Sequence, residues 1–302
     1  MKKSLFRLTL FIAFTSILTA FAVSPIRFAK MKAGNWMANL PDDRRIRSLS
    51  IPGTHDSGAI HSIADVFGKC QTLPISKQLE SGVRFLDLRL RLVDDELYVY
   101  HSFVEQRTKA SHLLHDLAAF LRENPSEFLI ISFKEEEAPV RSEKAFSETL
   151  EAILLKYPDV VNAARTLPET VKDARGKMHI LARYAGATIG IPCDRGWKNN
   201  ASFVLNDIFV QDHYEPSLMD EKLSAILSAA ETAALEKHAL TLNFLSCYFD
   251  SLFPPAYAGK PAKTINPFIR KLIGETDGSL GIIICDFMTS DLSQAIIGRN
   301  FE

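Results

Sequence analysis

Apolar positions along the chain follow two alternating rhythms. Short runs rich in β-branched and aromatic residues recur eight times, at Ile46–Ile51, Val83–Arg89, Leu97–His101, Phe128–Phe133, Met178–Tyr184, Phe209–Asp212, Leu242–Cys247 and Gly281–Phe287. Several are apolar almost throughout, as strands covered on both faces should be. Between some of them the spacing becomes helical. Leu113, Leu114, Leu117 and Leu121 mark a helix over Ser111–Glu123. Ser142–Leu155 and Ser217–Lys237 follow the same logic, with Ser142 and Ser217 as N-caps. Further helices open at Asn266-Pro267 and after Ser290.

Eight strands alternating with helices over about 250 residues predict an α/β fold, an irregular TIM (β/α)8-type barrel. It is irregular because Arg91 to Leu97 is too short for a helix and reads as a hairpin turn through Asp94-Asp95. An open doubly wound sheet is the alternative, but no glycine-rich phosphate loop follows the first strand.

The first 22 residues read differently. Lys2, Lys3 and Arg7 precede an apolar run from Leu8 to Ala22 that ends in Ala20-Phe21-Ala22, the layout of a secretory signal peptide. The expected organisation is therefore a signal over 1–22 and one catalytic barrel domain over 23–302, secreted or periplasmic after cleavage. Cleavage removes three positive and no negative charges, taking the net charge from -1 to -4. That balance argues against a protein that coats nucleic-acid phosphates. The chain is 47% hydrophobic and 24% charged, enough to bury a core without disulfide staples. Cys70, Cys193, Cys247 and Cys285 are even in number, so pairing is permitted, but Cys285 sits in an apolar strand that suits a buried free thiol.

The chemistry is sought where polar residues end apolar strands, because a barrel keeps its function at the C-terminal strand ends. His55 and Asp56 follow the first strand, Asp87 and Arg89 close the second, and His101 ends the third. Lys134 ends the fourth, Arg183 the fifth, Asp212 and Tyr214 the sixth, and Asp286 lies near the end of the eighth. One such residue alone is an ordinary rim group. Asp87, Arg89 and Asp286 lie inside apolar runs, however, and buried charges need partners. Two histidines suit a general base and a general acid. An arginine between them suits a phosphate, which it grips with a bidentate fork. Acids beside histidines orient the ring and stabilise its charged form. The set fits attack on a phosphodiester by a neighbouring hydroxyl, giving a cyclic phosphate. No zinc-type spacing of Cys and His competes. His112 and His115 read as a surface or packing pair, and His61, His179, His213 and His238 as ordinary histidines. Glu135-Glu136-Glu137 reads as a solvated run with at most a weak calcium site.

With these residues in view, the sequence from about Trp36 onward resembles the bacterial phosphatidylinositol-specific phospholipases C. The resemblance is carried by SIPGTHDSG at Ser50–Gly58, GVRFLDLRLR at Gly82–Arg91, the His101 strand and NPSEFLIISFK at Asn124–Lys134. It continues with DARGK and LARYAG between Asp173 and Gly186, VQDHY at Val210–Tyr214, and the Asp286 strand. It implies that His55, oriented by Asp286, is the base on the inositol 2-hydroxyl. His101, assisted by Asp56, is then the acid for the diacylglycerol oxygen. Arg89, supported by Asp87, holds the phosphate. Lys134, Arg183 and Asp212 would hydrogen-bond inositol hydroxyls, and Tyr214 would stack on the ring. In metal-dependent relatives a calcium ion takes the place of that arginine, so the resemblance implies no metal and no cofactor. The implied partner is phosphatidylinositol in a membrane, met transiently by a monomer. Val66, Phe67, Phe249, Leu252 and Phe253 are the expected apolar contacts. Two departures stand out: Ser102-Phe103 follows His101 where a glycine-containing turn is expected, and Gly190–Asn206 aligns poorly. The alternatives are a metal-dependent glycerophosphodiester phosphodiesterase, which needs acidic ligands near His55, and a non-catalytic phosphoinositide-binding barrel, which should lack a catalytic side chain.

Overall fold

The computed structural model describes residues 32–62, 67–249 and 258–302. The expected signal segment, Val66, Leu252 and Phe253 lie outside the described residues. Among these residues twelve strands form one sheet: β1 (Ile51–Thr54), β2 (Phe85–Val93), β3 (Glu96–His101), β4 (Val104–Lys109), β5 (Leu129–Glu135), β6 (Val161–Asn162), β7 (Met178–Arg183), β8 (Ile191–Pro192), β9 (Ala201–Leu205), β10 (Ile208–Asp212), β11 (Leu240–Phe244) and β12 (Ile282–Cys285). The order along the sheet is β6-β7-β5-β2-β1-β12-β11-β10-β9, with β8 beside β7 and the β3–β4 ribbon hanging from β2. From β6 to β10 every pairing is parallel, and β9 ends the path antiparallel to β10. The short strands β6 and β8 share one edge of β7.

The architecture is that of an irregular TIM barrel. Several expectations are corrected. The sheet is curled without closing: no ladder joins β8 to β9 among the described residues, and the Asn206 side chain bridges the seam by donating to the Pro192 carbonyl at 2.7 Å. The strand that ends in His101 is no stave. It folds back antiparallel on β2 through a turn in which Asp94 and Asp95 both take positive φ, 51° and 60°, the pattern of a tight hairpin. The pairing of Leu90 with Val99 brings His101 back level with Leu88–Arg89. The first stave also starts later than its apolar run. Ile46–Ser48 is a 3-10 turn, and β1 begins at Ile51.

Among the described residues seven α-helices accompany the sheet: α1 (Ile75–Glu80), α2 (Ala110–Glu123), α3 (Phe146–Leu154), α4 (Val171–Ala174), α5 (Met219–Ala234), α6 (Gly259–Glu275) and α7 (Ser290–Gly298). Neither serine proposed as a cap acts as one. The Ser142 hydroxyl bonds the Val140 carbonyl, and α5 is capped at Leu218 with Glu221 reaching back to it. α6 starts seven residues before Asn266 and runs through Pro267.

The period of two along each strand divides the core. Outward positions such as Leu86, Leu88, Leu90, Ile131 and Ile283 pack against the helices, with Leu114 and Leu117 of α2 among their partners. Inward positions Phe85, Ile130, Leu181, Val210, Phe244 and Ile284 fill the barrel interior. The same alternation carries the next inward residues upward: Asp87 and Arg89 above Phe85, Lys134 above Ile130, Arg183 above Leu181, Asp212 above Val210, Asp286 above Ile284. Register then sets Arg89, Lys134 and Arg183 side by side on adjacent strands. Gly53 is dictated by this crowding. A Cβ there would meet Phe85 at 3.0 Å and Ile282 at 3.2 Å.

The floor is sealed by Trp36, fully buried with its indole N–H donating to the Gly82 carbonyl at 2.9 Å. Beside it Arg84 and Glu127 form a fully buried ion pair at 2.8 Å, and the Arg84 guanidinium also donates to the carbonyls of Gly34, Leu79 and Val83.

Candidate active site

The loop after β1 places the first histidine. His55 and Asp56 leave the strand at its C-terminal end, and Asp56 adopts φ 41°. Gln71 fixes the loop from behind, donating its amide to the carbonyls of His55 and Cys285, both at 2.8 Å. That clamp sets His55 beside Asp286. Ser57 ties the loop to β2, its backbone N–H donating to Asp87 O at 2.8 Å while its hydroxyl accepts from Asp87 N at 2.9 Å. Gly58 packs so tightly on β3 that a Cβ would lie 2.6 Å from Val99. The strand bearing His101 is thereby held against the loop bearing His55.

His55 Nδ1 lies 2.8 Å from Asp286 Oδ1, and Nε2 lies 2.7 Å from an Arg89 Nη2. A guanidinium only donates, so Nε2 is the acceptor and Nδ1–H donates to Asp286. Burial alone would lower the His55 pKa, but the Asp286 and Asp56 carboxylates outweigh burial and Arg89 and raise it above 6.5. Asp56, 2% exposed, is shared by all three partners. Its Oδ1 lies 3.1 Å from Arg89 Nε, and its Oδ2 lies 3.5 Å from Nε2 of both His55 and His101. Burial raises its carboxyl above the usual range despite those positive neighbours.

Arg89 also reaches Asp87 Oδ2 at 3.4 Å and Glu136 Oε1 at 3.3 Å. Burial works against its charge, but Asp56, Glu136 and Asp87 hold it firmly protonated. Asp87 turns its other oxygen to the Ser132 hydroxyl at 3.1 Å and to Arg183 at 3.4 Å. Burial would raise its pKa, but the two guanidinium groups win and lower it.

The structure brings all ten residues singled out from the sequence to one mouth. His55, Arg89, His101, Lys134, Arg183, Asp212, Tyr214 and Asp286 line a cavity of about 470 Å³, with Asp56 and Asp87 buried beneath. A larger hollow of about 750 Å³ lies outside the barrel between α1 and α2. It gathers none of the strand-end charges, so size alone would have chosen the wrong place.

Some participants were not read from the sequence. Glu136, expected to be solvated, keeps only 5% of its side chain exposed. It holds Arg89, takes Lys134 at 2.8 Å on its other oxygen and accepts the Ser102 N–H at 2.9 Å. Burial would raise its carboxyl, yet Arg89 and Lys134 push it far below the usual range. The bond to Ser102 also explains the missing glycine: Ser102 takes φ 51° itself, anchored by Glu136. Trp197, in the segment that aligns poorly, lies 3.8 Å beneath the Arg183 guanidinium and donates to Asp212 at 3.1 Å. The Tyr214 hydroxyl bonds Asn199 in the same segment. Lys222 of α5 is fully buried and ties the ends of β10 and β11 from below, donating to the carbonyls of His213 at 2.6 Å and Phe244 at 2.7 Å. Burial lowers its pKa to about 8.

Other readings resolve simply. His179 is buried, bonded to Asn162 and the Ala174 carbonyl, and burial lowers its pKa to about 4. All four cysteines are buried free thiols. Phe249 packs against the outer core, and Phe67 is half-buried. Among the described residues, Phe103 in the turn after His101 is an aromatic left 69% exposed.

A barrel whose mouth joins two histidines to guanidinium groups and acids defines an enzyme for an anionic substrate. The family model described as phosphatidylinositol-specific phospholipase C, X domain, matches residues 50–184. The 1-phosphatidylinositol phosphodiesterase of Staphylococcus aureus strain Newman is 30% identical over 262 residues, spanning 79% of this chain and 83% of that protein. The Listeria monocytogenes protein of the same name is 28% identical over 276 residues, spanning 88% and 84%. Among solved structures, a variant of the phosphatidylinositol-specific phospholipase C from Staphylococcus aureus superposes with TM-score 0.79 at 26% identity, covering 88% of this chain and 97% of that one. The Listeria monocytogenes enzyme gives 0.73 at 26%, covering 89% and 99%. The chain belongs to the phosphatidylinositol-specific phospholipase C family.

Proposed function

We propose that this enzyme cleaves phosphatidylinositol to diacylglycerol and inositol 1,2-cyclic phosphate by metal-independent acid–base catalysis. The observation that carries this reading is the placement of Arg89, donating to the His55 base and paired with the Asp56 carboxylate that also faces His101. A phosphate entering the mouth meets the guanidinium first. It draws Nη2 off His55 and frees the Nε2 lone pair. His55 then takes the proton of the inositol 2-hydroxyl, with Asp286 steadying the imidazolium through Nδ1–H. The hydroxyl oxygen attacks phosphorus, and the bond to the diacylglycerol oxygen breaks. His101 protonates that oxygen, and Asp56 stabilises the charged ring beforehand. Arg89, backed by Asp87 and Glu136, stabilises the charge that gathers on the non-bridging oxygens.

Lys134, Arg183 and Asp212 face the same cavity and suit the inositol hydroxyls, with Tyr214 beside the ring. Trp197 supports Arg183 and Asp212 in holding their angles. The enzyme meets the bilayer at this mouth, and the exposed ring of Phe103 supports docking there. The charged-then-apolar pattern of residues 1–22 supports export of the chain to the periplasm or beyond.

Phosphorus NMR of the enzyme with phosphatidylinositol and excess chelator tests the proposal. The inositol 1,2-cyclic phosphate signal is expected to appear. No signal until a divalent metal is supplied would overturn the role given to Arg89.

A further inference from the structure

Cys70 stands at the centre of this cluster without a part in the chemistry just described. It is 1% exposed yet borders the cavity, and its backbone is tied on both sides. Its N–H donates to the Ala59 carbonyl at 2.9 Å, and its carbonyl accepts from Phe287 N at 2.7 Å. The sulfur, an Asp56 carboxylate oxygen and a ring nitrogen of His101 all lie within 4.8 Å of one another. Two of these partners are incomplete. Asp56 Oδ2 and His101 Nδ1 are both buried without a hydrogen-bond partner. Buried polar atoms are nearly always satisfied, so an unbonded carboxylate oxygen in a group with a thiol and an imidazole points to a missing ligand. Thiolate, imidazole and carboxylate together are the donor set of a borderline-soft divalent ion, and calcium or magnesium would prefer oxygen alone. A second triad, His55, Cys70 and Asp286, shares the sulfur. There both ring nitrogens are already engaged, with Asp286 and Arg89.

We infer that Asp56, Cys70 and His101 form a binding site for one zinc-class divalent cation, and that its occupation inhibits the enzyme. Three protein ligands leave the fourth position to water. On binding, the Cys70 thiol passes its proton to solvent as the sulfur–metal bond forms, and the ion sheds water; no electrons are transferred. Arg89, at 3.1 Å from Asp56 Oδ1, repels the cation and keeps the site reversible. A ligated His101 has no proton to deliver to a leaving oxygen. The inhibition thus rests on the role proposed for His101, whereas the binding does not.

The test uses chelator-stripped enzyme in two measurements. Zinc binding is followed by calorimetry, and cobalt binding by its thiolate-to-metal charge-transfer absorption. Turnover of phosphatidylinositol vesicles is followed in parallel against zinc concentration. One ion per chain, a charge-transfer band and chelator-reversible loss of turnover are expected. In Cys70→Ala the band should vanish, basal turnover should stay near wild type, and zinc affinity should fall by about 100-fold or more, since outer-shell partners alone cost about 10- to 100-fold. His101→Ala, which keeps the thiol, should weaken binding similarly, and Cys70→Ser serves if the alanine variant does not fold. Equal zinc inhibition of wild type and Cys70→Ala, or a band surviving in Cys70→Ala through Cys193 or Cys247, would overturn the site. Tight thiolate-dependent binding that leaves turnover untouched would keep the site and overturn the role of His101.

Discussion

Two arginines five residues apart on the Gly82–Arg91 segment meet opposite fates. Arg84 sits at the floor with no exposure. Its fork is filled by Glu127 at 2.8 Å and three backbone carbonyls. Arg89 sits at the mouth, 17% exposed in its side chain, with carboxylate contacts spread between 3.1 and 3.4 Å. The first pair is complete and has nothing to offer a ligand. The second is loosely held by three acids and a histidine, so an incoming phosphate can compete for it. Full satisfaction marks a structural ion pair, and partial satisfaction around a cavity marks a site.

The largest break in this comparison comes from the histidines beside Arg89. His55→Ala or His101→Ala should each reduce turnover by at least the factor of about 10² to 10⁴ typical of an acid or base, with thermal stability little changed. Near-normal turnover in either variant would end the two-histidine mechanism. The arginines should then separate cleanly. Arg84→Met strands the buried Glu127 carboxylate and should cost about 3–5 kcal/mol in chemical denaturation. The molecules that remain folded should turn over normally. Arg89→Lys should do the reverse, keeping stability while losing turnover, because an ammonium cannot replace the planar fork. Matching losses of stability and activity in both variants would erase the distinction.

A smaller effect concerns pH. In the proposed mechanism His55 works as the neutral base, and the fold raises its pKa, so the acid limb of kcat/KM should lie above 6.5. Asp286→Asn should move that limb down while slowing the reaction. For stability the same shift contributes fully below pH 6.5 and fades as pH rises through the raised value. Wild type should therefore exceed Asp286→Asn in Tm by more at about pH 5 than at about pH 9. The smallest expected change is at Phe103. Phe103→Ser should weaken binding to phosphatidylinositol vesicles while leaving turnover of a short-chain monomeric substrate unchanged.

The sequence made much of this site legible for one reason. Strand residues two apart share a face, so charges that continue the inward alternation beyond the apolar interior point into the mouth. Asp87, Arg89, Lys134, Arg183, Asp212 and Asp286 all obey that rule. Glu136 was missed because three consecutive glutamates look solvated, and only the pairing of β2 with β5 brings the middle one under Arg89. Trp197 was missed because its partners Arg183 and Asp212 come from strands at opposite ends of an unclosed sheet. The open seam had no sequence signal either. Short strands such as β6 and β8 leave no periodic trace over two residues.

The β3–β4 ribbon has a consequence for how such an enzyme can change. β2 pairs directly with β5, so the ribbon is an excursion that the stave register does not require. It carries His101 and, two positions later, the exposed Phe103. In the proposed mechanism, proton delivery and surface contact therefore travel together on one detachable cassette. Insertions, deletions or grafted turns there can retune both properties at once, while the barrel that fixes His55, Arg89 and Asp286 keeps its alignment.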